Sequence, residues 1–164
     1  LIFESLSSPA QAVSVKKIIL TWDFFVNDKP PDAKFDALTF IYLTNRFQGV
    51  GTSGAKLKFT FDVSVTLDTA KSYFGYEGKY RQFQTLKHEQ GHVDLAVLYA
   101  RKLLDALLKN VYTKTDYQSK IHTIYENYRE LLELEQVKYD AETEHGTNSL
   151  KQNEWNLYFK AIPE

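Results

Sequence analysis

"LKFTFDVSVTL", Leu57 to Leu67, alternates without a fault. Leu57, Phe59, Phe61, Val63, Val65 and Leu67 fall on one face, and Lys58, Thr60, Asp62, Ser64 and Thr66 on the other. A period of two is that of a strand buried on one side and wet on the other. Upstream, Val13 to Phe25 ("VSVKKIILTWDFF") and Ala37 to Phe47 ("ALTFIYLTNRF") are rich in β-branched and aromatic residues and predict two more strands. Asn27 to Lys34 ("NDKPPDAK") reads as a loop, because two consecutive prolines break a ladder. "QGVGTSG", Gln48 to Gly54, reads as a turn.

Downstream the period changes. Phe83, Leu86, Val93, Leu95, Ala96, Leu98, Tyr99, Leu103, Leu104 and Leu107 recur at helical spacing and predict a helix from about Tyr80 to Leu108. "KNVYTK" is a connection, after which Thr115 or Asp116 offers an N-cap oxygen. Tyr117, Ile121, Ile124, Tyr125, Tyr128, Leu131, Leu132 and Val137 form the stripe of a second helix, which should stop near Gly146. Two long helices on a short loop make an antiparallel hairpin. The expected fold is therefore α+β: a small antiparallel sheet packed on a long helical hairpin. One domain over 1–164 is expected, β-rich over 1–75, helical over 79–146, with a C-terminal tail over 147–164.

Composition narrows the function classes. The 164 residues are 43% hydrophobic and 25% charged, enough to bury a core. A net charge of −1 offers no basic patch, so no nucleic-acid partner is expected. The absence of cysteine excludes disulfides, thiol catalysis and cysteine zinc sites. No apolar run approaches the ~20 residues that span a bilayer, so a soluble chain without an integral membrane segment is expected, working as a monomer. The chain begins at Leu1 and holds no methionine, which reads as a trimmed product; "LIFESLSS" is too short and polar for a complete signal peptide. The 11 Tyr, 11 Phe and 2 Trp fit helix–sheet packing, or an exposed binding surface.

The chemistry is concentrated in "TLKHEQGHVDLAVL", Thr85 to Leu98, which contains the HExxH pattern His88-Glu89-Gln90-Gly91-His92. Residues i and i+4 stack one turn apart on a helix, so His88 and His92 can turn two imidazole nitrogens to one metal. Glu89 stands one step round, within reach of a water that zinc would acidify, and is the candidate general base. The plainer alternative is two polar positions on a solvated face. Gly91 argues against it, since a glycine inside a helix costs about 1 kcal/mol relative to alanine and so calls for a close approach, such as another backbone.

A catalytic zinc needs a third protein ligand and an open position. "VDLAVLYARK" supplies no histidine, and His122 falls mid-way along the second helix, where exposure is expected. "YDAETEHG", Tyr139 to Gly146, gathers Asp140, Glu142, Glu144 and His145 near the end of the hairpin. Helix arithmetic leaves His145 about 15 Å from level with His88. Either the second helix ends early and turns back, or a residue nearer Glu133 or Glu135 is the ligand.

"LKHEQGHVDL", "YDAETEHG" and "QNEW", with the earlier "LTWDFF" and "KPP", resemble the bacterial family catalogued as domain of unknown function 922, described as predicted secreted zinc-dependent proteases. The resemblance spans nearly the whole chain. It implies a zincin-like metallopeptidase of the bacterial envelope or exterior, with a peptide or protein substrate and Zn2+ as cofactor. It makes His88, His92 and His145 the metal ligands and Glu89 the general base. Within the second segment Tyr139 can donate its hydroxyl to a developing oxyanion, Asp140 can orient a ligand histidine through its second nitrogen, and Glu142 is an alternative third ligand. Asp94 is a further candidate partner or part of the polar face, while Gln152 and Trp155 are expected to pack the C-terminus. The competing function is a non-catalytic cell-envelope protein with a structural or vestigial metal and a partner-binding aromatic sheet face. A metal-free scaffold is the third.

Overall fold

The computed structural model describes residues 15–75 and 79–162, with backbone only for 79–82. In chain order the elements are a 3₁₀ turn (Trp22–Phe24), β1 (Ala37–Leu38), β2 (Ile41–Ser53), β3 (Lys56–Leu67), β4 (Tyr73–Phe74), α1 (Lys79–Lys109), β5 (Tyr112–Thr113), α2 (Tyr117–Thr143) and α3 (Ser149–Lys160). They form an α+β fold, a small antiparallel sheet packed against helices. No described helix is long and apolar enough to cross a membrane.

β2 and β3 form a long antiparallel hairpin in register from Ile41↔Leu67 to Ser53↔Lys56. The alternation of Leu57 to Leu67 is realised, with Phe61 and Val63 buried and Lys58, Thr60, Asp62 and Ser64 exposed. The expected turn over Gln48 to Gly54 is much shorter than that. β2 continues through the glycines with one register shift between Gly49 and Gly51, and the chain reverses at Gly54, whose φ of +60° suits a residue without a side chain. β5 adds to the outer edge of β3 through Leu57↔Tyr112, within the segment read as a plain connection. β1 and β4 make a separate two-stranded ladder.

The strand expected over Val13 to Phe25 does not form in its described part. Residues 15–21 carry no regular structure and lie across α1, whose side chains satisfy their backbone. Gln90 Oε1 accepts from Leu20 N at 2.7 Å and Gln90 Nε2 donates to Ile18 O at 2.8 Å, while Arg101 Nε donates to Val15 O at 3.1 Å. Val15, Leu20 and Phe25 are buried. The apolar pattern thus records packing, not a ladder. The residues 13 and 14 lie outside the described residues.

α1 matches its predicted span and carries the core: Val93, Leu95, Ala96, Leu103 and Leu107 are buried, each larger side chain contributing roughly 1.5–3 kcal/mol. Phe83, in contrast, is exposed. α2 buries Ile121 and Leu132 but leaves Leu131 and Val137 exposed. It stops at Thr143 because Glu144, His145 and Gly146 take three successive left-handed conformations, with φ of 51°, 52° and 81°. Asp116 stands at its N-cap position, but its carboxylate accepts from Thr113 N at 2.7 Å and ion-pairs with Lys120 at 2.6 Å, and does not cap a backbone N–H of the helix. The stretch expected as a tail contains α3, begun by Asn148, whose Oδ1 accepts from Lys151 N at 3.2 Å. Trp155 and Phe159 are buried against the Tyr139 ring.

Candidate metal centre

α1 and α2 pack side by side, and the connection between them sets their register. His88 lies 21 residues before Lys109, the end of α1, and Asp140 lies 23 after Tyr117, the start of α2. At about 1.5 Å per residue the two are level to within roughly 3 Å. His92, one turn along from His88, completes a triangle. His88 Nε2 and His92 Nε2 are 3.2 Å apart, and Asp140 Oδ1 is 3.1 Å from the first and 3.0 Å from the second.

This triangle fits a divalent cation. Two ligands of a tetrahedral zinc at about 2.0–2.1 Å are themselves about 3.3 Å apart. Two imidazole nitrogens with one carboxylate oxygen are donors that zinc accepts, and they leave one tetrahedral position open. The group His88, His92 and Asp140 is the only one among the described residues that brings three such atoms within 4.8 Å of one another.

The surroundings hold each side chain firmly. His88 is buried, and its ring stacks on Tyr139 with centroids 4.7 Å apart and planes 13° off parallel. Gln152 Oε1 faces His88 Nδ1 at 3.1 Å, and Gln136 Oε1 makes a close contact with His92 Nδ1. A β-carbon on Gly146 would stand 2.9 Å from His88 Cβ, so the left-handed run after α2 closes over the imidazole at a position that only glycine fits. Gly91 is required for a similar reason. The close approach is made by the Tyr139 ring, not by a backbone as the sequence led us to expect.

Charge follows the same geometry. Burial opposes the charged form of His92, but the hydrogen bond to Asp140 and the charges of Glu89 and Asp140 outweigh it and raise its pKa. Burial would raise Asp140, yet the hydrogen bonds to His88 and His92 hold it well below the carboxylate range. Burial pushes the Tyr139 phenol far up. A carboxylate held ionised between two imidazole nitrogens is a donor set that a cation can take over.

The triangle opens on a cavity of about 910 Å³. Glu89 lines it, only 5% exposed, and no described side chain hydrogen-bonds to or ion-pairs with its carboxylate. The facing wall is the segment from Ala37 to Leu43, with Phe35 at the rim.

His145 stands outside the triangle: its Nδ1 is 3.5 Å from Asp140 Oδ1, its side chain is 48% exposed, and its ring lies on Phe35 with centroids 4.5 Å apart. Asp140, and not His145, lies within the triangle with His88 and His92, because α2 runs on to Thr143 and keeps Asp140 on its helical face. The Tyr139 hydroxyl donates to His88 O at 3.1 Å and accepts from Gln152 Nε2 at 2.8 Å. Glu142 accepts from Trp155 Nε1 at 2.8 Å, and Asp94 accepts from Gln90 Nε2 at 2.9 Å. Glu133 ion-pairs with Arg129 and Glu135 with Lys138, while exposed His122 lines a separate cavity of about 520 Å³. Asp140 faces the Nε2 atoms, not the outer nitrogens; those meet Gln136 and Gln152. Sequence reasoning passed over Gln136, although it precedes Asp140 by one helical turn and so shares its face.

No curated protein and no solved structure matches the chain. Residues 26–146, a span that takes in His88, His92, Asp140 and His145, match the family described as "Bacterial protein of unknown function (DUF922)", and the chain belongs to that family.

Proposed function

We propose that His88, His92 and Asp140 hold a zinc ion and that the centre hydrolyses amide bonds in a peptide or protein. The observation that carries the reading is Glu89. A buried carboxylate without a partner is costly, and this one opens on the cavity beside the triangle, where a water would meet it. Zinc held by the triangle would supply Lewis acidity, bringing the pKa of a water down to about 7. Glu89 would take a proton from the attacking water on a carboxylate oxygen and pass it to the leaving amine nitrogen, as the substrate's carbonyl carbon gains the water oxygen and loses its bond to nitrogen. Tyr139, whose hydroxyl is engaged at both ends, acts in this reading as the wall that orients His88, not as an oxyanion donor.

A peptide substrate is favoured by the opposite wall. Among the described residues β2 pairs only with β3, so its outer edge at Ile41 lines the cavity beside Phe40 and Tyr42, while the Leu43 carbonyl accepts from the Tyr125 hydroxyl at 2.8 Å. The test is cleavage of a mixed-sequence peptide library by zinc-loaded protein, read by mass spectrometry. New termini are expected with the wild type and none with Glu89→Gln, which should still bind zinc. A library left intact by the zinc-loaded wild type would end the hydrolytic reading.

A second reading, a non-catalytic envelope protein whose metal is structural or vestigial, is favoured by the nearness of His145 to Asp140. A small shift would make it a fourth ligand and close the centre. His145→Ala then weakens zinc binding strongly, whereas the hydrolytic reading expects little change.

A further inference from the structure

We infer that the cavity beside His122 is a second binding subsite, for an extended polypeptide chain that reaches it from the metal centre and pairs with the outer edge of β2 at Asn45 and Phe47. The inference rests on the peptide-hydrolysing reading above and names how far its substrate extends. The ladder decides which backbone groups face outward. Asp68 N donates to Phe40 O at 2.9 Å, so Phe40 and its alternates Tyr42 and Thr44 bond toward β3. Ile41, Leu43, Asn45 and Phe47 then turn N–H and C=O away from β3, to an edge that no described strand covers. The Tyr125 hydroxyl reaches this edge only at the Leu43 carbonyl, whose second lone pair is left for a further donor.

The edge runs beside α2 in the opposite direction. Leu43 meets Tyr125, and further along Phe47 meets Tyr117, with ring centroids 6.4 Å apart. From Leu43 to Phe47 the strand covers about 13 Å, and from Tyr125 back to Tyr117 the helix covers about 12 Å. The two elements therefore stay level, with a trough between them. The metal-side cavity and the cavity of about 520 Å³ both lie in this trough and share Tyr42, Leu43 and Tyr125 as lining. In the second cavity Asn45 Oδ1 is buried without a hydrogen-bond partner, an acceptor that costs stability until a ligand brings a donor. An extended chain brings one at every second residue, the same repeat as the outward groups of the edge, and exposed Tyr42 and Phe47 offer rings to its side chains. Tyr125 stands fifteen positions before Asp140 in α2, or about 22 Å at about 1.5 Å per residue. A chain held at the metal thus needs about seven extended residues on that side to reach the second cavity.

The test is peptide binding by Glu89→Gln protein with zinc added, followed by nitrogen–proton NMR, so that binding is read apart from cleavage. Two mixed-sequence libraries are compared, of four and of sixteen residues. The sixteen-residue library is expected to move the backbone amides of Asn45 and Phe47 and the side-chain amide of Asn45. Its midpoint should lie roughly tenfold or more below that of the four-residue library, because linked contacts reinforce one another. Asn45→Leu removes an unpaired buried acceptor and should fold at least as well. It should raise the sixteen-residue midpoint about tenfold and leave four-residue binding, read at Ile41, in place. Should that variant not fold, the two library titrations decide alone. Equal midpoints for the two libraries, or shifts that stop at Leu43, would overturn the inference. So would an oligosaccharide mixture that moves these signals where peptides do not. Shifts at Asn45 and Phe47 in a protein whose wild type cuts no peptide would sink the hydrolytic reading and keep the subsite. Cleavage of both libraries at equal rates, with no shift at Asn45, would do the reverse.

Discussion

The phenol ring of Tyr139 fills the space that a side chain at Gly91 would need. A β-carbon there would stand 2.6 Å from Tyr139 Cζ and 3.0 Å from Phe159 Cε2. The ring cannot easily yield, since its hydroxyl is bonded to His88 O and Gln152 and its face lies on the His88 imidazole.

Gly91→Ala therefore sets two effects against each other. Alanine gains about 1 kcal/mol of helix propensity, while overpacking a filled site costs about 1–3 kcal/mol. We expect a lower urea midpoint and weaker zinc binding, because the displaced ring carries His88 with it. A midpoint equal to or above that of the wild type would show that Tyr139 gives way.

Gln90 sits inside the histidine motif but faces away from its chemistry. Its amide holds Leu20 N, Ile18 O and Asp94 Oδ1. Gln90→Leu is expected to lower stability by about 1–3 kcal/mol, the cost of leaving buried backbone groups unpaired, with zinc affinity unchanged. Denaturation and chelator competition measure the two separately, and a parallel loss of zinc would show that residues 15–21 support the centre.

The pattern of Leu57 to Leu67 and the long helical stripe of α1 were readable because each has one wet face and one dry face. Val13 to Phe25 misled for a physical reason. An extended segment laid across a helix needs the same apolar residues as a strand, and its hydrogen-bond partner, Gln90, is 70 positions away. The two histidines and Glu89 were legible because their spacing is local. The third corner was not, because choosing Asp140 over His145 depends on where α2 ends, and that is set by left-handed residues of which only Gly146 signals itself in the sequence. Gln136 and Gln152 carry no signal beyond their place on helix faces whose packing is tertiary.

The shifts at the centre give the metal-free protein a defined pH response. His92 is raised, so its contribution is fully present below about 6.5 and is lost as pH rises through its folded value. Asp140 is depressed, so its contribution is present above about 3.9 and is lost as pH falls toward its folded value. The stability difference between wild type and Asp140→Asn, both stripped of metal, should peak between about pH 4 and 6.5 and shrink on either side. Zinc reverses the alkaline limb, because binding needs neutral histidine and affinity rises with pH. A difference that grows steadily to pH 8 without metal would contradict the assignment.

Asp140 and His145 differ in their predicted effect on metal. Asp140→Asn should cost more than the roughly 10–100-fold typical of an outer partner, while His145→Ala should leave zinc affinity near that of the wild type. Competition with a fluorescent chelator reads both. The opposite ranking would return His145 to the third corner.

The most direct test of the central claim is zinc stoichiometry with X-ray absorption on the loaded protein. The account predicts one zinc per chain, held by two imidazole nitrogens and one carboxylate oxygen with a water in the fourth position, and lost in His88→Ala. A protein that retains no zinc after loading and dialysis would contradict it, as would a shell of four protein ligands that includes a third imidazole.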